Sequence, residues 1–359
     1  MMRSSTVANS IFIISGFLVV AYNEHFEFAS HHGIQWTTAL DSLPDRSDGN
    51  VRLLFVADPQ LKRSSNQPLL LGSFMKWDAD RYLTKYFRLA MSAVKPHVVI
   101  FMGDFVGEDN VANGDEFLSY ADRFKAMFSV PDGVLPIFIA GDKDLGGGDQ
   151  ERAVKMERAE QFENYFSPIN EIIEYKHIRF YKIDFLPYLH AIPEPKLDTK
   201  LQKLLTKFNS MPSEGETRVL LSHHAISDIM LHRHITIMQT LHPSYAFSGH
   251  SHDSGFVVHD LQKLMKFFNN IMNKPKQGND VDPRGNIKMD EYKVPTCNYA
   301  TGVPNTAYGV ASIGTDGELH YALLWLPSRF RQLRCYMFYL IAVGLYTLWK
   351  WCRRRRQYR

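Results

Sequence analysis

Residues 51–60 read VRLLFVADPQ, an apolar run that ends abruptly at a carboxylate and an amide. The run is rich in β-branched and aromatic residues, which predicts a buried β-strand. Four later runs end in the same way, at Gly-Asp, Gly-Asp-Lys-Asp, Ser-His-His and Gly-His-Ser-His. The polar residues that follow the five runs are Asp58, Gln60, Asp104, Asp142, Asp144, His223, His224, His250 and His252.

Short apolar runs alternate with helix-like stretches along the chain. Strands are predicted at 51–57, 97–102, 134–140, 178–184, 218–222 and 308–314. Helices are predicted at 78–95, 115–128 and 150–165, and the polar residues 273–290 are predicted to form an excursion loop. Alternating strands and helices predict an α/β layered domain with an at least partly parallel sheet. Ligands bind at the carboxyl ends of strands in such sheets, so the five polar loops are expected to converge on one crevice.

The residues expected in that crevice combine oxygen and imidazole donors, which suit divalent ions such as Mn, Fe or Zn. Seven donors are too many for one tetrahedral ion and fit two ions that share a bridging carboxylate. Each short motif alone has a more ordinary interpretation as a turn or a surface residue. The ordered series is what predicts a metal centre, and its members are Asp58, Gln60, Asp104, Asp142, His223, His250 and His252.

Two apolar segments frame the chain. Residues 8–22 carry no charge and predict a membrane anchor within residues 1–22, although a cleaved signal peptide is the alternative. Residues 335–351 have aromatic residues at both ends and predict a transmembrane helix. The arginine-rich segment 352–359 follows it, so the positive-inside rule predicts a cytosolic tail and a lumenal domain over 23–333.

The charge of the chain is concentrated in its last eight residues. Five of them are arginines, and removing these five charges takes the formal net charge from +3 to −2. A near-neutral body does not indicate a nucleic-acid partner. Of the three cysteines, only Cys297 lies in the domain between the anchors, so an internal disulfide is not expected there.

The order of the polar motifs resembles that of the calcineurin-like metallophosphoesterase superfamily, over residues 50–327. ADPQL at 57–61, SGHSHD at 248–253 and GVPNTAYGVASI at 302–313 resemble its membrane-anchored branch. That branch includes the GPI-glycan ethanolamine-phosphate phosphodiesterases and the yeast Cdc-type relatives. The resemblance implies a four-layer α/β/β/α sandwich, here flanked by N- and C-terminal transmembrane helices.

The resemblance also implies roles for the donors. The first ion would be held by Asp58, Gln60 and His252, and the second by Asp142, His223 and His250. Asp104 would bridge the two ions. Manganese is the ion that the resemblance implies, with zinc or iron as alternatives.

Two motifs depart from the pattern of the superfamily. The block that usually reads Gly-Asn-His-Asp/Glu is Gly141-Asp142-Lys143-Asp144 here, and Gly107 stands where an aspartate usually orients that histidine. Lys143 is one candidate for the electrostatic or proton-donating role, for which a depressed pKa is expected. His224 is the alternative acid, and a catalytically impaired protein that keeps its metals is the third interpretation.

Three functions are compatible with these residues. By resemblance, the first is a phosphodiesterase that removes ethanolamine phosphate from GPI glycans in the endoplasmic reticulum or Golgi, with the bilayer and GPI-anchored proteins as partners. The second is a metal-binding pseudoenzyme that binds GPI-anchored cargo or a sorting partner. The third is a phosphoesterase of soluble nucleotides or phosphoproteins, for which two membrane anchors have no obvious use.

Overall fold

Two β-sheets pack face to face in the computed structural model, which describes residues 2–46, 49–62, 69–107, 114–146, 156–185, 195–209, 211, 215–229, 232–271 and 288–357. The strands are β1 (Val51–Val56), β2 (Val98–Phe101), β3 (Leu135–Phe138), β4 (Glu171–Tyr175), β5 (Ile178–Lys182), β6 (Thr217–Ser222), β7 (Tyr245–Ser248), β8 (Gly255–Asp260), β9 (Lys288–Lys293), β10 (Ala307–Ile313) and β11 (Leu319–Trp325). The helices are α1 (Met2–Ala21), α2 (Gly33–Asp41), α3 (Leu69–Val94), α4 (Gly114–Met127), α5 (Met156–Tyr165), α6 (Pro195–Asn209), α7 (His232–Leu241), α8 (Leu261–Ile271) and α9 (Arg329–Gln357).

Both sheets contain a run of parallel strands; the first is antiparallel on its β10–β11 side only, and the second at both edge strands. The first has the order β11-β10-β1-β2-β3, in which β1, β2 and β3 are parallel. The second has the order β4-β5-β6-β7-β9-β8, in which the four central strands are parallel. The carboxyl ends of the parallel strands lie at the same end of each sheet, and the polar loops begin there.

Side chains alternate between two cores along each central strand. Leu53 and Phe55 of β1 face the second sheet, while Leu54 and Val56 face α3, α4 and α5. In the second sheet, Leu220 of β6 faces a third core that it forms with α6, α7 and α8. The layers therefore run helices, sheet, sheet, helices, and the predicted two-sheet α/β fold is confirmed.

The N-terminal helix is longer than the predicted anchor. Helix α1 continues without a break through π-helical turns at Tyr22–Phe26 and Phe28–His32 into α2. Within the described ranges, the helix that passes a length and composition test for a membrane span runs over Ala8–Asp41. Its last part packs on β11, where Trp36 is buried and its indole N–H donates to the carbonyl of Trp325.

The C-terminal helix α9 runs alongside α1. Phe12 and Tyr346 lie with ring centroids 4.5 Å apart, and the Tyr339 hydroxyl donates to the carbonyl of Phe12. Helix α9 contains the segment 335–351 but does not pass the test that the N-terminal helix passes. The second membrane span therefore stays a prediction, as do the domain boundaries.

The six predicted strands are all present to within two residues, but several elements differ from expectation. Helix α3 begins at Leu69, nine residues before the predicted start. Residues 288–290 belong to β9, whereas the rest of the predicted loop lies outside the described residues. Strand β9 reads KMDEYK and resembles a loop in composition, yet its Glu291 is buried and accepts the N–H groups of Ile226 and Ser227.

Candidate metal centre

The loops after β1, β2, β3, β6 and β7 meet at one end of the two sheets, as the sequence predicts. Ligand atoms of Asp58, Asp104 and His223 lie within 4.8 Å of one another. A second group of ligand atoms, from Asp142, His224 and His250, meets the same criterion. The imidazole Nε2 of His223 lies 3.0 Å from Oδ1 of Asp142, so the two groups adjoin.

Several residues of these loops have a positive φ, a backbone conformation that is unfavourable for residues other than glycine. Eight non-glycine residues in the described ranges have positive φ, and five of them are predicted metal ligands. Left-handed backbone at a residue with a Cβ costs on the order of 1 kcal/mol or more and tends to concentrate at functional sites. The five residues are Asp58, Gln60, Asp104, His250 and His252.

The glycine before Asp104 is required by space as well as by conformation. Gly103 has a φ of 95°, and a Cβ there would lie 2.6 Å from Nδ1 of His223. A Cβ on Gly141 would overlap the backbone and carboxylate of Asp104. The Gly-Asp spacing of both motifs thus lets the loops after β2 and β3 approach each other closely.

Asp58 has the clearest environment of a cation ligand. Its carboxylate is fully buried, and Oδ2 accepts the backbone N–H of His250. Its Oδ1 has no hydrogen-bond partner among the described residues and faces Nε2 of His252 at 3.6 Å. A buried, unpaired carboxylate oxygen is costly unless a cation takes its lone pairs, so this residue fits a metal ion.

His223 is oriented as a metal-binding histidine usually is. Its Nδ1 donates to the carbonyl of Met102 at 2.7 Å, which fixes the orientation of the ring. Its Nε2 donates to Oδ1 of Asp142 and lies 3.5 Å from Oδ1 of Asp104, and these carboxylates outweigh burial and raise the pKa of His223. Such a carbonyl partner on the far nitrogen is the outer-shell contact expected of a ligating imidazole.

His224 lies beside the second group of ligand atoms. Its ring centroid is 4.2 Å from that of His250, and the residue is buried. By proximity it groups with Asp142 and His250, whereas His223 groups with Asp58 and Asp104. The geometry therefore supports two adjoining groups. It places His223 in the group of Asp58 and Asp104, whereas the resemblance places it with Asp142 and His250.

Gln60 and His252 close the side of the centre next to Asp104. The amide Nε2 of Gln60 donates to Oδ2 of Asp104 at 3.2 Å and lies 2.9 Å from Nε2 of His252. A half-turn of the amide brings its oxygen to the same position, where it can bind a metal ion. Burial, followed by the charge of Lys143, lowers the pKa of His252 to about 4, which keeps the imidazole in its neutral, metal-binding form.

Lys143 contacts the residue predicted to bridge the ions. Its Nζ lies 3.3 Å from Oδ2 of Asp104, and its backbone N–H donates to Oδ1. Burial lowers the pKa of Lys143, but the carboxylates of Asp104, Asp142 and Asp58 outweigh burial and raise it above its ordinary value. The protein residues therefore raise the pKa of Lys143, whereas the sequence analysis predicts a depressed pKa.

The carboxylates of the centre are electrostatically unbalanced. Burial raises the pKa of Asp58 to about 7 and also raises that of Asp104, with repulsion between carboxylates adding to both. Burial would raise the pKa of Asp142 too, but hydrogen bonds from His223 and His250 lower it well below its ordinary range. Divalent cations would supply the positive charge that this cluster lacks.

Two residues to which the sequence assigned no role hold the loops in place. The buried carboxylate of Asp144 accepts the N–H groups of Phe105, Val106 and Gly141, and so joins the loops after β2 and β3. The side-chain amide of Asn298 donates to the carbonyl of Pro59 at 2.6 Å. Asp144 could be noticed as the fourth residue of its motif, but nothing near Asn298 in the sequence signals its contact.

Comparison with known proteins agrees with this geometry. Metallophosphoesterase 1 homolog of Drosophila melanogaster is 24% identical over 350 residues, covering 86% of this chain and 85% of that protein. The homolog of Caenorhabditis elegans is 28% identical over 155 residues, covering 43% of this chain and 39% of that protein.

Among solved structures, the 5'-nucleotidase precursor of Thermus thermophilus overlaps 82% of this chain and 59% of its own, with a TM-score of 0.39 and 12% identity. The profile of the calcineurin-like phosphoesterases matches residues 51–254, which is more than half of the chain and contains all seven predicted ligands. The chain belongs to the calcineurin-like phosphoesterase family and carries candidate sites for the divalent metals that this family uses.

Proposed function

We propose that this protein is a two-metal phosphodiesterase that acts on a membrane-associated phosphate ester. The observation that carries the proposal is the buried, unpaired Oδ1 of Asp58 within a convergent set of oxygen and imidazole donors. Residues Asp58, Gln60, Asp104, Asp142, His223, His250 and His252 would hold the ions, and His224 stands beside them. Manganese is the proposed ion because the donor set mixes hard oxygens with imidazoles.

Bound divalent metals supply Lewis-acid polarisation of the phosphoryl group and a water of lowered pKa. The chain contributes the alignment of the donors and the surrounding charge. The carboxylates of Asp58, Asp104 and Asp142 and the ammonium of Lys143 carry a net charge of −3 + 1 = −2 when all are ionised, so two divalent ions would leave the centre positive. A positive, largely buried centre favours a phosphate ester and the negative charge that grows in its transition state.

We further propose that the substrate is ethanolamine phosphate on a GPI glycan, in the early secretory pathway, with the domain on the lumenal side. The resemblance of the motifs to the membrane-anchored branch supports this substrate. The apolar helix over Ala8–Asp41 supports a site close to a bilayer.

A catalytically impaired, cargo-binding protein is the second candidate, and one observation favours it. Lys143 replaces the usual histidine of its motif, and its ammonium group is paired with Asp104. General acid catalysis contributes roughly 10²–10⁴-fold, so its loss alone predicts a slow enzyme. A protein that binds metal and GPI-anchored cargo without turnover would have the same motifs.

The test is manganese-dependent hydrolysis by the purified full chain in detergent, on bis(p-nitrophenyl) phosphate and on an ethanolamine-phosphate glycan. Asp104→Asn is expected to lower hydrolysis of both esters at least about 100-fold, because the variant loses a charged ligand in the centre. Asp132→Asn is the matched control, since Asp132 is an exposed carboxylate in the turn before β3. Tight manganese binding without turnover of either ester would refute the enzyme and favour the cargo-binding protein.

Topology is tested separately. Protease treatment of sealed microsomes is expected to leave the domain intact and to remove only the basic tail. Digestion of the domain from the cytosolic side would refute the lumenal orientation without affecting the proposed chemistry.

A further inference from the structure

The first turns of α3 expose apolar side chains that the core does not cover. Phe74, Met75 and Trp77 are 51%, 36% and 56% exposed. Phe74 and Trp77 contact each other, with ring centroids 5.8 Å apart. Later turns of the same helix are buried, for example at Leu83 and Phe87. The exposed cluster is therefore a local feature of one helix end.

A network of ion pairs fastens this helix end to both terminal helices. Glu24, three residues beyond α1, pairs with Arg81 of α3 and with Arg329, the first residue of α9, each at 2.8 Å. Arg329 also donates to Asp78 of α3 at 2.9 Å. Glu24, Asp78 and Arg329 are largely buried. Asp78 and Arg81 thus lie level with the ends of the two apolar helices.

The contacts also give the direction of α3. Glu24 pairs with Arg81, and Phe28, one turn later, packs its ring 5.5 Å from that of Tyr86. Residue numbers on α3 therefore decrease toward the exposed apolar part of α1. A helix rises 1.5 Å per residue, so Phe74 lies about 6 Å beyond Asp78 in that direction.

That position is level with the last turns of α1, whose side chains are also exposed and apolar. Phe17, Leu18 and Val20 are each at least half exposed. The exposed cluster of α3 therefore lies at the same height along the α1 axis as the exposed apolar side chains at the end of α1. Within the described ranges, the exposed cluster is flanked by cations, because Lys76 precedes Trp77 and the guanidinium of Arg81 lies 5.4 Å from the Trp77 ring centroid.

We propose that Phe74, Met75 and Trp77 insert into the interfacial region of the lipid bilayer, beside the terminal helices. Aromatic side chains favour the level of the lipid headgroups, and a lysine beside them, here Lys76, pairs with headgroup phosphates. This inference rests on the membrane anchorage in the proposed function and extends it. The domain would then contact the bilayer through a third element in addition to its two terminal helices.

The same helix end is connected to the candidate metal centre. The Tyr299 hydroxyl donates to Asp78 at 2.7 Å, and the neighbouring Asn298 holds the carbonyl of Pro59 in the first ligand loop. Seating of α3 in the bilayer therefore sets the distance of the centre from the membrane.

The test places a polarity-sensitive fluorophore at residue 74 of the full chain in lipid vesicles. Phe74→Cys is labelled in a Cys335→Ser, Cys352→Ser background, in which the remaining Cys297 is buried. The matched control is Phe256→Cys on β8, because Phe256 is 56% exposed and lies in the sheet remote from α3. We expect blue-shifted emission and severalfold stronger quenching by spin-labelled lipids at residue 74 than at residue 256.

The outcomes separate this inference from the function on which it rests. A chain that floats with the vesicles while residue 74 is quenched by aqueous iodide as strongly as residue 256 would overturn the inference alone. A blue shift without quenching by spin-labelled lipids would indicate burial against protein and would also overturn it. A chain that does not float with vesicles refutes the membrane anchorage itself, and with it this inference.

Discussion

Replacing Asp58 by asparagine is expected to stabilise the metal-free protein and to reduce the stabilisation that manganese provides. Asparagine has the same shape, can still accept the N–H of His250, and can direct its amide at Nε2 of His252, where Asp58 presents an unpaired oxygen. The substitution removes a buried negative charge from a cluster of carboxylates. The expected sign is unusual, because substitution of a buried polar residue normally destabilises a protein.

The magnitude follows from the pKa of Asp58, which burial raises from 3.8 to about 7. Each tenfold change in proton affinity corresponds to about 1.36 kcal/mol, so ionisation disfavours the metal-free fold by on the order of 4 kcal/mol. A raised carboxylate pKa means that this penalty is absent below about pH 4, grows as the pH rises toward 7, and is complete above 7. Asparagine does not ionise and avoids the penalty.

The assay is urea unfolding of the full chain in detergent with chelator, from pH 4 to pH 8. Asp58→Asn and the native chain should unfold alike at pH 4, and the variant should be more stable by a few kcal/mol at pH 8. The control Asp132→Asn should stay within about 0.5 kcal/mol of the native chain at every pH. Manganese at 100 times its dissociation constant should add about 2.7 kcal/mol to the native chain and much less to Asp58→Asn.

The advantage of Asp58→Asn over the native chain in free energy of unfolding should therefore shrink when manganese is added. If Asp58→Asn is less stable than the native chain in chelator at pH 8, Asp58 is a satisfied structural carboxylate and the argument for a metal at this position fails.

Three further changes test other parts of the structure. Lys143→Gln should lower turnover of a phosphodiester roughly 10²-fold and leave manganese binding intact, as measured by steady-state kinetics and calorimetry; unchanged turnover would exclude a catalytic role for Lys143. Gly103→Ala should lower the free energy of unfolding by about 2 kcal/mol or more, because its Cβ meets His223 at a φ of 95°, and unchanged urea unfolding would contradict this close approach. Glu24→Gln should cost up to about 3 kcal/mol at pH 7, because hydrogen bonds from Arg329 and its neighbours outweigh burial and lower the pKa of Glu24 from 4.5 to about 2. The cost should vanish as the pH falls from about 4.5 to 2, and a pH-independent difference would refute the ion-pair assignment.

The positions of the candidate ligands could be predicted from sequence because each lies within a few residues of its strand. Asp58 is the second residue after β1, and Asp104 the third after β2. Parallel strands bring their carboxyl ends to one edge, so local pattern and sheet topology together place the ligands. Specific contacts between distant side chains are not needed to place that part of the site.

What the sequence could not predict depends on contacts between distant residues. Asn298 holds the carbonyl of Pro59 across 239 positions of the chain. The orientation of His223 depends on the carbonyl of Met102, so a Ser-His-His motif does not tell which histidine faces which carboxylates. Residues 288–290, the first half of β9, are predicted as loop because they are polar, although the strand continues to Glu291, whose buried carboxylate is satisfied by hydrogen bonds.

The loop after β3 divides its three polar side chains among three tasks. Asp142 pairs with His223 and His250, whereas Asp144 is occupied by the backbone N–H groups of the neighbouring loop. Lys143 pairs with Asp104 and contributes no other side-chain bond to the loop among the described residues. Its replacement should therefore change the charge beside the candidate metals without loosening the loop. For this reason Lys143 is the residue at which metal binding and turnover can be separated by experiment.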